Sequence, residues 1–186
     1  MNVTLSPAGC RALVKPGDFI LTRGSGWVSR AIQVGQWLRV PRRWCWCNHA
    51  AGVIDGDGTI VEMLARGATV NHLSKYDEKD YMVVSPDLDD ARRAEAVDYW
   101  SWLAVNKTGY GWWSIGADVV ALLLHLKFGA AMAGRPVCSA AVAAGLGLPE
   151  WRACPAAVTP ADLAQRFGVT APLRIHRPPP PYRKNR

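Results

Sequence analysis

Asn48-His49-Ala50-Ala51-Gly52-Val53-Ile54-Asp55-Gly56-Asp57-Gly58-Thr59-Ile60-Val61-Glu62-Met63-Leu64 reads as a β-hairpin. Two apolar runs flank Asp55-Gly56-Asp57-Gly58, a strong turn. With Asp55 opposite Gly58, Ile54 faces Thr59, Val53 faces Ile60, Ala51 faces Glu62 and His49 faces Leu64. Opposed residues share a face, and so do residues two apart. His49 and Glu62 therefore project from the same side as diagonal neighbours, about 7–8 Å apart and within joint reach. A slip of one residue would put them on opposite faces. Glu62 stands in an otherwise apolar strand, where a carboxylate needs a partner. An imidazole N–H serves, and the pair would hold the His tautomer and favour its charged form. Ala50, Ala51 and Gly52 leave room for another element to approach. Residue types alone also fit a plainer arrangement, an exposed Glu on an edge strand and a structural His.

A second stretch supplies what such a base would act on. Arg135-Pro136-Val137-Cys138-Ser139-Ala140-Ala141-Val142-Ala143-Ala144-Gly145 places a cysteine at the start of a short, Ala-rich helix, with Gly145 as its end. Free N–H groups and partial positive charge at a helix start favour thiolate over thiol. A nucleophilic cysteine needs a base and a group that orients the base. Cys138, His49 and Glu62 fill these roles.

Around these stretches the pattern is mixed. Residues 1–14 read as an irregular lead-in. Lys15-Pro16-Gly17-Asp18 is a turn before a short strand, Phe19 to Thr22. Trp27 to Leu38 has helical spacing, and Val40-Pro41-Arg42-Arg43 is a basic loop. Ala68 to Leu73 and Tyr81 to Ser85 read as further strands, joined by a charged connection over Lys75 to Asp80. Asp87 to Ala104 reads as a helix with Ala91, Ala94, Val97 and Leu103 on its dry side. Trp112 to Phe128 is another helix. Thr159 caps a short helix with Pro160 at its first position. The end, with Pro178-Pro179-Pro180-Pro181-Tyr182, is expected to be extended.

The chain has 186 residues, which suits one domain. Its net charge of +7 fits anionic partners such as a wall polymer or an anionic surface. No nucleic-acid-binding module accompanies the charge, so no nucleic-acid partner is expected. Five cysteines, an odd number without a regular framework, argue for reduced thiols. The first residues lack a signal-peptide pattern, so the expected compartment is the cytoplasm. The most apolar segment, Ile115 to Ala133, is interrupted by Asp118, His125 and Lys127 and reads as a buried helix, not a membrane span. His72, His125 and His176 read as non-catalytic, His125 as a core or surface residue of an apolar helix.

With these residues in hand, the sequence resembles the permuted branch of the NlpC/P60 papain-like cysteine hydrolases, the branch with the YiiX/YaeF-type proteins. There the His-bearing hairpin precedes the Cys helix, the reverse of papain's order. The matching pieces are Pro16 to Gly24, Asn48 to Ile54, Gly58 to Glu62, Gly109-Tyr110, Val137-Cys138-Ser139 and Thr159 to Leu163, in one consistent order. The resemblance implies an α+β fold with an antiparallel sheet or half-barrel packed against helices. The domain would span residues 15–170, followed by a basic, Pro-rich tail over 171–186. It implies Cys138 as nucleophile, His49 as base, Glu62 as the residue orienting His49, and no metal or other cofactor. The implied substrate is a peptide or other amide, such as peptidoglycan peptides; relatives act on lipid acyl groups. Ala140 and Ala141 follow Cys-Ser where the family usually has an acidic and a larger apolar residue. Tyr110 is a candidate second oxyanion donor or groove wall.

Three other readings compete. Cys45, Cys47 and His49 alternate and so share one side of an extended segment, as a zinc site would require, although Cys-x-Cys is tighter than usual zinc spacing. A non-catalytic wall or virion component on the same scaffold is the second. The third is a lipid acyl hydrolase or acyltransferase at a membrane, for which the basic, Trp-rich stretch Trp37 to Trp46 is suited.

Overall fold

The computed structural model describes residues 2–6, 13–24, 27–64, 66–79, 81–106, 108, 137–148, 150 and 158–170. The chain folds as α+β. Strands β1 (Asn2–Ser6), β2 (Phe19–Thr22), β3 (His49–Val53), β4 (Thr59–Leu64), β5 (Gly67–His72) and β6 (Tyr81–Ser85) form one sheet. It is open and antiparallel throughout, in the order β1-β6-β2-β3-β4-β5. The described helices are α1 (Trp27–Arg39), α2 (Asp90–Val105), α3 (Cys138–Leu146) and α4 (Pro160–Arg166). No helix among the described residues is long and apolar enough to cross a membrane.

The hairpin has the register expected from its turn, with Ala51 opposite Glu62 and Val53 opposite Ile60. Asp55 holds the turn by accepting from the N–H groups of Asp57 and Thr59. Alternation along the central strands sends side chains into two cores. Phe19, Leu21, Ala50, Val61, Met82 and Val84 pack with Trp100 and the helices. Ile20, Ala51, Val53, Ile60, Tyr81 and Val83 pack under Leu73 and Tyr76 on the other face.

Four expectations are corrected. The lead-in is not wholly irregular: Asn2–Ser6 pairs with β6 as an edge strand. Its alternation of apolar and polar residues suits a strand, but its partner lies far along the chain. Val40 to Arg43 is not all loop, because Arg42–Trp44 forms a turn of 3-10 helix. In α2 the inward residues are Ala96, Trp100 and Leu103, while Ala91 and Ala94 are exposed. Alanine marks no face strongly, and the buried indole sets the helix's rotation. Gly145 does not end α3; it lies inside the helix, and Gly147 at φ +59° closes it. The Trp112 to Phe128 helix and the Pro-rich tail lie outside the described residues.

Two locks tie the helices to the sheet. Asp18 is buried and accepts from Arg93 Nη1 of α2 at 2.9 Å, with Ser85 Oγ and the Lys15 N–H as further donors. Thr159 and Asp162 form a reciprocal capping box at the start of α4, with Pro160 in the first turn.

Candidate active site

His49 opens β3 and lies opposite Thr22 of β2. Asn48 beside it accepts from the Gly24 N–H (2.7 Å) and donates to the carbonyls of Gly24 and Ser29 (3.1 Å each). These bonds anchor the start of α1 next to His49. The His49 ring places Nε2 at 2.8 Å from Glu62 Oε2, as the shared face of the hairpin requires. The Glu62 side chain is fully buried and that of His49 nearly so.

A buried carboxylate must be satisfied at both oxygens. Oε2 accepts from His49 and from the Tyr76 hydroxyl at 2.7 Å. Oε1 accepts from Asn71 Nδ2 at 2.7 Å and from Lys75 Nζ. Burial opposes ionisation, but the bonds from His49, Lys75 and Tyr76 outweigh it and hold Glu62 down at about 2. Burial and the adjacent Glu62 push the Tyr76 phenol up, so its hydroxyl stays a donor.

Cys138 is the first residue of α3, after Val137 as cap. Its own N–H therefore has no intrahelical acceptor. The β3–β4 ladder stops at Ala51 and Glu62. Beside that end the Cys138 sulfur feels the charge and N–H of the His49 ring and the backbone N–H groups of Ala50 and Ser139. With Nε2 committed to Glu62, Nδ1 is the ring nitrogen left for the sulfur. Burial disfavours the thiolate, but the charge and hydrogen bond of His49 overcome it and lower the Cys138 pKa. Burial likewise opposes a charged His49, yet Cys138 and then Glu62 raise it from 6.5 to about 9. The shifts of Cys138 and His49 both run toward a thiolate–imidazolium pair, with the Glu62 carboxylate behind it.

One side chain brings Cys138 to the hairpin. Trp100 of α2 lies between Gly52 of β3 and Gly145 of α3, and its Nε1 donates to the Ala141 carbonyl at 3.0 Å. A Cβ on Gly52 would fall 2.3 Å from this indole, and one on Gly145 2.2 Å. The two glycines are the slots that let both elements close on one tryptophan. Ser139 Oγ donates to the Val158 carbonyl at 2.6 Å and ties the start of α3 to the segment leading into α4. Ala140 and Ala141 are both buried, so these small residues let α3 pack closely on its neighbours.

The cysteines of the competing zinc reading are otherwise engaged. Cys45 Sγ donates to the Val40 carbonyl and Cys47 Sγ to that of Pro160, each at 3.4 Å. Burial pushes both thiols up, which keeps them protonated. Among the described residues no group of three His, Cys, Asp or Glu is disposed to hold a metal ion. His72 holds a turn by bonding Ser74 and the Asp57 carbonyl. Tyr110, Cys10, Cys154, His125 and His176 lie outside the described residues.

Reading the sequence alone missed Asn71, Lys75 and Tyr76. Asn71 had a signal: it pairs with Ile60, so it shares a face with Glu62 as a diagonal neighbour. Lys75 and Tyr76 had none, because they reach Glu62 only through the 3-10 turn Leu73–Tyr76. No protein-family model and no curated protein sequence matches the chain.

Proposed function

We propose that the protein is a cysteine hydrolase that cleaves an amide bond through Cys138, His49 and Glu62. The observation that carries this reading is the His49 ring held between the Cys138 sulfur and a buried, fully hydrogen-bonded Glu62 carboxylate. The order of the parts, His hairpin before Cys helix, matches the resemblance to the permuted NlpC/P60 hydrolases.

The chemistry follows from the geometry. The Cys138 thiolate adds to the substrate carbonyl carbon, and the oxyanion takes the free Cys138 N–H. His49 gives the Nδ1 proton to the leaving amine as the C–N bond breaks, leaving a thioester on Cys138. His49 then takes a proton from water, which attacks the thioester and releases the acid and the thiolate. Glu62 stays ionised throughout and keeps the ring oriented.

The test combines site-resolved alkylation with turnover. Iodoacetamide labelling near neutral pH, read by peptide mass spectrometry, should modify Cys138 rapidly and the other four cysteines slowly. His49→Ala should abolish the rapid phase. A panel of wall-type peptides and simple peptide amides should yield cleavage that Cys138→Ser removes. Equal labelling of all five cysteines would refute the mechanism. Cleavage of lipid acyl esters with no amide cleavage would reassign the substrate class.

A further inference from the structure

Helix α1 is built the wrong way round for a helix facing water. Its buried side chains include two glutamines, Gln33 and Gln36. Gln33 Nε2 donates to the Cys45 carbonyl at 2.8 Å. The Gln36 amide, oriented to satisfy both neighbours, donates to the Cys47 carbonyl at 3.0 Å and accepts from the Ala161 N–H at 3.2 Å. The helix thus uses polar side chains to hold the segment that leads into His49. Its exposed side carries Val34 (45% exposed), Trp37 (46%) and Leu38 (49%). With Arg30 these residues are spaced i, i+4, i+7 and i+8, a single stripe.

The rim of that stripe is basic. From Arg23 to Arg43 the chain carries five arginines and no acidic residue. Arg42 lies over the Trp37 ring at 5.6 Å, and Arg43 over Trp44 at 5.1 Å. Both arginines are exposed. Arg39 is set aside, because it lies 3.7 Å from Asp162.

We propose that this face of α1, with Arg42 and Arg43, docks on an anionic lipid bilayer. Exposed Val, Trp and Leu side chains among arginines suit the headgroup boundary, with the apolar groups below it and the guanidinium groups at the phosphates. A second copy of the chain is a poor occupant. A two-fold contact through this face would set arginines against arginines with no acidic residue of α1 to offset them. Docking here would bring the bilayer beside the strand that opens on His49, since Asn48 is bonded to Gly24 and Ser29.

The experiment is co-sedimentation of the full chain with phosphatidylcholine vesicles, with and without phosphatidylglycerol. Binding is expected only with the anionic lipid and should weaken with salt. Arg42→Gln with Arg43→Gln should lower the partition coefficient roughly thirtyfold. The same charge loss through Arg66→Gln with Lys79→Gln should lower it far less. Leu38→Ser should weaken binding with no change in melting temperature. Brominated lipid should quench tryptophan emission less in Trp37→Phe than in the native chain. Cys138→Ser should bind as the native chain does, so failure of docking and failure of the hydrolase reading are separate results. Equal binding to neutral vesicles, no binding to either, or an equal loss in the Arg66/Lys79 pair would overturn the proposal. So would concentration-dependent self-association that Leu38→Ser abolishes.

Discussion

Glu62→Gln is the substitution that asks most of the site. The amide keeps the size of the side chain and removes its charge. It offers one acceptor atom where the carboxylate offers two, and four donors converge there from His49, Tyr76, Asn71 and Lys75. Whichever way the amide turns, its NH2 group meets two donors. If that side faces His49, the ring must give up the Nε2 proton, which is one of the two that make it an imidazolium. The rise of His49 from 6.5 to about 9 corresponds to about 3 kcal/mol at about 1.36 kcal/mol per pH unit. Cys138 and Glu62 share it. A hydrogen bond to a charged group contributes about 1.5–3 kcal/mol. Taking the lower end as the share of Glu62, the thiolate–imidazolium state loses at least about tenfold in population. Alkylation of Cys138 near neutral pH should slow by that factor. Its pH profile should move toward the ordinary thiol value of 9.0. Removing the anion from its buried partners should also destabilise the fold by about 3 kcal/mol in urea titration. Alkylation with the native pH profile, in a variant that is folded by near-ultraviolet circular dichroism, would refute this role of Glu62.

Two further outcomes follow from the same contacts. Gly145→Ala should cost about 1–3 kcal/mol in urea unfolding and slow Cys138 labelling, because its Cβ meets the fixed Trp100 indole; Gly56→Ala, with nothing within 4 Å, is the control. His49 is raised on folding, so its contribution to stability is complete below pH 6.5 and lost as pH rises through about 9. Glu62 is lowered, so its contribution is present above 4.5 and lost as pH falls toward about 2. Unfolding free energies should decline at the acid end; above pH 6.5 the His49 loss is opposed by Cys138, whose lowered thiol gains stability as pH rises toward 9.0, so the alkaline change should be smaller than His49 alone would give.

What the sequence determined by itself was local. The Asp-Gly-Asp-Gly turn and a side-chain period of two set the hairpin register, and the register alone put His49 and Glu62 on one face. Thr159 before Pro160 announced the start of a helix, because a cap and its partners lie within four residues; the reciprocal bond from Asp162 came with the structure. Cys138 was legible as the start of a helix for the same reason. The tertiary structure decided what the chain brings together from a distance. Trp100 meets Gly52 and Gly145 from elements far apart in sequence, and a glycine that reads as a helix stop serves instead as a slot. Lys75 and Tyr76 reach Glu62 through a turn whose direction no local pattern encodes. The inverted faces of α1 became visible only when its glutamines were seen to bond the segment before His49. Short-range hydrogen bonds and periodicity depend on neighbours along the chain; burial, and with it the pKa of His49, Glu62 and Cys138, depends on neighbours in space.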